Sequence, residues 1–180
     1  MSLTAILADI TTLEVDAIVN AANERLAAGG GVCGAIFQAA GPGLAEACAA
    51  LGGCRTGEAR ATPAFRLPAR IIIHAVGPVW RGGGHGEAAL LASAYRASMR
   101  LAAAQGAASI AFPALSTGIY GFPVREAASI AVATLRGELA AGSPVTRVVL
   151  ACFSADVLAA YRAAGIWATG DDVITIQGDE

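Results

Sequence analysis

Apolar positions along the chain follow two periods in alternation. Short unbroken runs of β-type residues occur at Leu3–Ala8, Ala17–Val19, Ile71–Val76, Ser109–Pro113 and Val145–Cys152, with a weaker sixth at Glu58–Ala64. Between them lie Ala-rich stretches with helical spacing: Cys33–Ala40, Leu44–Leu51, Glu87–Gln105, Arg125–Ala141 and Asp156–Ala164. Strands alternating with helices predict an α/β fold of three layers, α/β/α, around a central sheet of about six strands. The run "IIIHAV" has no polar alternation, so it predicts an inner strand covered on both faces. Residues 165–180 close with "TGDDVITIQGDE", which reads as an edge strand and a frayed tail. With 180 residues and no linker or repeat, the pattern suits one domain over 1–180, its core spanning about 3–164.

Composition narrows the chemistry. Hydrophobic residues make up 56% and charged residues 14%, yet no apolar run approaches the roughly 20 residues of a membrane span. The opening "MSLTAILADI" has no basic n-region, and the expected location is the cytoplasm. Net charge is −2, which offers no basic face to nucleic acid. All twelve basic residues are arginine. A Walker A loop and Schiff-base chemistry both need lysine and are therefore excluded, so a bound phosphate must be held by backbone N–H groups or by Arg. Cysteines at 33, 48, 54 and 152 lack the spacing of a zinc or redox motif, and reduced thiols without metal are expected.

Two glycine-rich segments stand where loops at strand carboxyl ends would lie, the usual ligand position in open α/β sheets. One is Gly29–Gly31; the other is "ALSTGIYGFP", residues 114–123. Each runs into a helix, so together they offer opposed backbone donors suited to a diphosphate. Gly29, Gly31 and Gly34 also satisfy G-x-G-x-x-G. The dinucleotide fingerprint fails on context, because "NAANERLAA" separates Val19 from the glycines and no acidic strand end follows about 20 residues on.

The segments "ADITTLEVDAIVNAANERLAAGGGVCGAIFQAAGPGL", "LPARIIIHAVGPVW" and "SIAFPALSTGIYGFP" resemble the macro domains, in particular the branch of O-acetyl-ADP-ribose deacetylases and mono-ADP-ribosyl hydrolases. The resemblance spans about residues 3–164. It implies a mixed central sheet and a site for ADP-ribose, with no cofactor. In it Asp9 would accept from the adenine amino group, with Ile10 beside the ring and Phe153 packed on it. Asn23 would face the distal ribose. Gly30, Gly31 and Val32 would wrap the diphosphate from one side, and Ser116, Thr117, Gly118, Ile119 and Tyr120 from the other. The implied ligands are ADP-ribose, its esters and mono-ADP-ribosylated proteins, hydrolysed at the ester; nothing in the sequence demands more than a monomer.

The chain departs from that pattern at two positions. The branch usually carries Asp where Cys33 stands and His where Phe37 stands. The family Asp is the proposed acceptor of the attacking water's proton. A free thiol ordinarily titrates near 8.5, about four units above a carboxylate. Cys33 is thus a weaker general base, a spectator beside water held by Asn23, the mark of a binder without turnover, or a small packing residue. Other residues also have plain readings. Asp9 suits a cap on the Thr11–Thr12 turn, Asn20 and Asn23 suit turns, and Phe153 suits a core position as well as it suits adenine. His74 reads as a buried, hydrogen-bonded histidine and His85 as an exposed loop residue.

Overall fold

Each β-type run becomes a strand and each Ala-rich stretch a helix in the computed structural model, which describes residues 1–167. The order is β1 (Ser2–Leu7), a 3-10 turn (Ile10–Thr12), β2 (Ala17–Ala21), α1 (Gly31–Ala40), α2 (Gly43–Ala50), β3 (Ala59–Pro63) and β4 (Ile71–Ala75). There follow α3 (Glu87–Ala104), β5 (Ser109–Phe112), α4 (Val124–Ala140), β6 (Arg147–Cys152) and α5 (Ala155–Ala163). The edge strand expected in "TGDDVITIQGDE" lies outside the described residues.

The sheet order is β1-β6-β5-β2-β4-β3. All neighbours are parallel except β3, which runs antiparallel to β4 and makes the sheet mixed. The weak sixth run is therefore a true edge strand. Its ladder is fixed by Ala59↔Ala75 through Pro63↔Ile71, with Pro63 at the last position of an edge strand, where a missing N–H is tolerated.

Alternation along the strands sorts residues onto two cores. Val19 and Ile73 face a cluster with Leu91, Tyr95 and Leu135 beneath α3, α4 and α5; Ile18 and Ile72 face Ile36, Leu44 and Cys48 beneath α1 and α2. Both faces of β4 are thus dry, which is why its sequence shows no polar alternation. Each fully buried Ile of this kind contributes about 1.5–3 kcal/mol.

Because β1, β6, β5, β2 and β4 share one direction, their carboxyl ends open on one edge of the sheet. Asp9, the Asn23–Gly31 loop, Gly77–Val79, the Ala114–Gly121 loop and Phe153 all follow those ends. Parallel topology has gathered five separate chain segments there.

Candidate functional site

The first wall of the site is built around Asn23. Its amide is a clamp: Nδ2 donates to Ala27 O at 2.9 Å and Oδ1 accepts from Ala27 N at 3.1 Å. This turn holds Leu26 in a left-handed conformation (φ 56°) with its side chain buried. The chain then reaches Gly29, where a Cβ would lie 3.8 Å from both Asn23 Nδ2 and Cys33 Sγ. Asn23, Gly29 and Cys33 therefore converge on one point. Helix α1 begins at Gly31, two residues ahead of Cys33, because Gly30 is extended at its N-cap and Gly31 takes φ +59°, a left-handed value natural to glycine. One turn later, a Cβ on Gly34 would lie only 2.6 Å from Gly29 O, so helix and loop touch backbone to backbone.

The second wall is the Ala114–Gly121 loop. Thr117 Oγ1 donates to Ala114 O at 2.8 Å and Phe122 N donates to Ser116 O at 2.9 Å. Ser116 is buried, left-handed (φ 66°) and its hydroxyl has no partner among the described residues. A non-glycine residue in that conformation stores of the order of 1–2 kcal/mol of strain. A Cβ on Gly77 would collide with Ser116 Oγ, so the loops after β4 and β5 are seated against each other. Trp80 N, donating to Tyr120 O at 2.8 Å, joins them again. Across the groove, a Cβ on Gly30 would meet Ile119 Cδ1 at 3.5 Å, and Ile119 itself is 85% exposed. Gly31, half-buried Val32 and Gly118 complete the two facing walls.

At the far end, Asp9 caps the 3-10 turn. Its Oδ1 accepts from Thr11 N at 2.9 Å and Thr11 Oγ1 at 2.7 Å. These bonds, the hydroxyl's first, hold the carboxyl below the usual Asp range. Oδ2 makes no bond among the described residues and remains able to accept. Ile10 is buried in the core behind it. Phe153 is 98% exposed, so its core reading is corrected: no apolar group among the described residues covers it.

Behind the first wall lies a buried polar chain between the sheet and the α1–α2 layer. Register pairs Asn20 with His74 across β2 and β4, so both side chains point to the same face. Asn20 Nδ2 lies 3.1 Å from His74 Nδ1 and 3.7 Å from Cys33 Sγ. His74 Nε2 lies 2.9 Å from Thr62 Oγ1 and 3.6 Å from Cys48 Sγ. Burial lowers the His74 pKa to about 4, so the ring is neutral near pH 7. With Asn20 donating to Nδ1, the ring proton sits on Nε2 and is donated to Thr62. Cys33 Sγ accepts from Asn20 and donates to Ala27 O at 3.7 Å, and is 5% exposed. Asn20 is thus a strand residue tying Cys33 to His74, which corrects its reading as a turn residue. His74 is buried and bonded as its sequence context predicts.

Comparison with known proteins now decides the family. A model of the macro domain family matches residues 19–131. The chain belongs to the macro domain family. A macro domain-containing protein of Chlorobaculum tepidum is 59% identical over 160 residues, covering 89% of this chain and 93% of that protein. The O-acetyl-ADP-ribose deacetylase of Klebsiella pneumoniae is 55% identical over 161 residues, covering 87% of this chain and 92% of that protein. Among solved structures, a mutant of the Oceanobacillus iheyensis macrodomain with ADPR superposes with TM-score 0.85 at 40% identity, over 89% of each chain. The Trypanosoma brucei macrodomain in complex with ADP-ribose gives 0.84 at 41% identity, over 90% of this chain and 68% of that one.

Within this macro domain, every expected site residue lies on the carboxyl edge of the sheet. Sequence patterns missed the third loop, Gly77–Val79, and what lies outside it. A cleft of about 470 Å³ opens beyond Asn23 and Tyr120, with Gly77–Val79 and Leu90 among its lining. Tyr120 is half-buried, and burial, followed by the Glu24 carboxylate and Cys33, raises its hydroxyl pKa. Glu87, at the start of α3, is 2% exposed and accepts from Arg81 N (3.0 Å), Gly83 N (3.2 Å) and His85 N (2.7 Å). Desolvation pushes this carboxyl up, but these N–H groups with its own outweigh it and hold the pKa down to about 2. The glycine run "RGGGHGE" was the available signal: a loop wrapping its N–H groups around the next carboxylate. Among the described residues no group of three or more His, Cys, Asp or Glu could hold a metal ion, and no helix is long and apolar enough to cross a membrane.

Proposed function

We propose that this macro domain binds ADP-ribose along the groove between its two glycine-rich loops and hydrolyses ADP-ribose esters. The observation that carries the reading is the facing pair of walls. A Cβ on Gly30 would stand within van der Waals reach of Ile119, one on Gly31 would meet nothing within 4 Å among the described residues, and α1 starts there with free N–H donors. A helix N-terminus and an adjacent glycine loop favour a diphosphate by dipole and by hydrogen bonding. Adenine would lie between Oδ2 of Asp9 and exposed Phe153, and the distal ribose would reach Asn23 and Cys33. The ADP-ribose complexes of two structural relatives and the deacetylase name of the Klebsiella relative support this assignment.

Hydrolysis needs water to attack the ester carbonyl, a group to take the water's proton, and return of a proton to the departing ribose hydroxyl. The products are ADP-ribose and the free acid. Cys33 Sγ and the Asn23 amide, which converge beside Gly29, would flank that water, and positioning would supply most of the rate gain. One observation favours a second reading, binding without turnover. Cys33 is buried and already bonded to Asn20 and Ala27, so its thiol is engaged where the family carries a carboxylate. Titration calorimetry with ADP-ribose tests the site, and a time course of O-acetyl-ADP-ribose conversion with Cys33→Ala and Cys33→Asp in parallel tests the chemistry. Turnover lost in Cys33→Ala and raised in Cys33→Asp supports hydrolysis at this residue. Turnover unchanged in Cys33→Ala moves the work to Asn23-held water. Binding with no turnover makes the protein a reader, and no ADP-ribose binding refutes both readings.

A further inference from the structure

The cleft beyond Asn23 and Tyr120 holds about 470 Å³, within the range of dedicated ligand sites. None of Gly29–Cys33 or Ser116–Ile119 lines it; it meets the groove between the two glycine-rich loops at Asn23 and Tyr120. An acetyl ester would fill a small part of it. Its charge is also distinctive. Glu24 is turned onto Thr56, accepting from its N at 3.2 Å and its Oγ1 at 2.9 Å. Glu87 is enclosed by backbone donors, one of which, Arg81 N, fixes the chain that carries Arg81 to the rim. Arg25 and Arg81, both exposed, make no salt bridge among the described residues. Two guanidinium forks free of salt bridges therefore line the cleft, while its own carboxylates, still ionised, are directed onto Thr56 and onto backbone N–H groups rather than onto the arginines; such forks match carboxylates.

We propose that this cleft takes the acidic segment of a mono-ADP-ribosylated protein next to the modified side chain, with Arg25 and Arg81 reading the flanking carboxylates. This rests on ADP-ribose lying in the groove with its distal ribose at Asn23. A protein chain leaving the ribose needs the space that an acetyl group leaves empty, and its acidic neighbours supply the salt-bridge partners the two arginines lack.

The test uses two peptides carrying ADP-ribose through a non-hydrolysable linkage, one flanked by Asp and Glu and the other by Asn and Gln. Each is titrated, alongside free ADP-ribose, into the native chain and into the Arg25→Ala/Arg81→Ala variant. The native chain is expected to prefer the acidic peptide about fivefold at low salt, a preference that shrinks as salt is raised. The double variant is expected to lose that preference while keeping native affinity for ADP-ribose. Equal affinity of the native chain for both peptides, or a preference that survives in the variant, overturns the proposal. Loss of ADP-ribose affinity in the variant also overturns it, because the arginines would then serve the nucleotide. A single-stranded oligonucleotide that displaces the acidic peptide at the same concentration reassigns the cleft to phosphodiesters. Failure of the native chain to bind ADP-ribose removes the functional reading itself, and the proposal with it.

Discussion

Gly34→Ala places one methyl group where α1 meets the glycine loop. The added Cβ would lie 2.6 Å from Gly29 O. An ordinary C···O approach is about 3.3–3.6 Å, so the two must separate by roughly 0.7–1 Å. Helix α1 cannot yield, because Cys33, Ile36 and Ala40 anchor it in the core. The exposed loop yields instead, and its N–H groups leave the diphosphate. Loss of one charge-assisted bond is worth about 1.5–3 kcal/mol, which weakens ADP-ribose binding by about 10- to 150-fold. Stability changes less. Overpacking costs about 1–3 kcal/mol, and the gain in helix propensity from Gly to Ala offsets about 1 kcal/mol of it. For a chain of this size the melting temperature should fall by less than about 8 °C. Gly137→Ala in α4 is the control, since its Cβ meets nothing within 4 Å and it isolates the propensity gain. Calorimetric titration with ADP-ribose and thermal melts of both variants separate the two effects. Native ADP-ribose affinity in Gly34→Ala, with a melting temperature raised as in Gly137→Ala, would refute the contact and the role of the loop together.

The buried His74 makes stability depend on pH. Its folded pKa of about 4 lies below the ordinary 6.5, so its contribution is full above 6.5 and declines as pH falls toward 4, by about 3 kcal/mol in all. Denaturant titrations at several pH values should show that slope in the native chain and a flatter one in His74→Gln; equal slopes would place the acid sensitivity elsewhere. Glu87 acts in a lower window: with its pKa at about 2 against an ordinary 4.5, its contribution is lost between those values as pH falls. Glu87→Gln should free the Arg81–His85 loop and speed tryptic cleavage after Arg81 at neutral pH, and native-like resistance would count against the clamp. Phe153→Ala should leave the melting temperature within experimental error, since the side chain is 98% exposed, while ADP-ribose affinity falls by about 1–3 kcal/mol of lost stacking. A normal affinity would remove Phe153 from the adenine site.

The sequence by itself determined the elements and their class. Strands began and ended within two or three residues of the apolar runs, because period and glycine punctuation are local properties. The weak run at Glu58–Ala64 shows the boundary of that knowledge: its residues permit a strand, but only Arg60↔His74 and Thr62↔Ile72 pairing makes it one and sets it antiparallel. The glycine loops were legible as a candidate ligand site because glycine has few other reasons to cluster before a helix. What made those glycines necessary was not. Gly34 is required by Gly29 O and Gly77 by Ser116 Oγ, contacts across loops that sequence distance does not encode. Asn20 had the look of a turn residue until register set it opposite His74 and beneath Cys33. The cleft with Arg25 and Arg81 brings together residues from four loops and the start of α3, which no single motif encodes. Local patterns fix dihedral preferences and the burial of a face. Partners across a sheet or between loops are fixed by strand order and register, which follow from packing the whole chain at once.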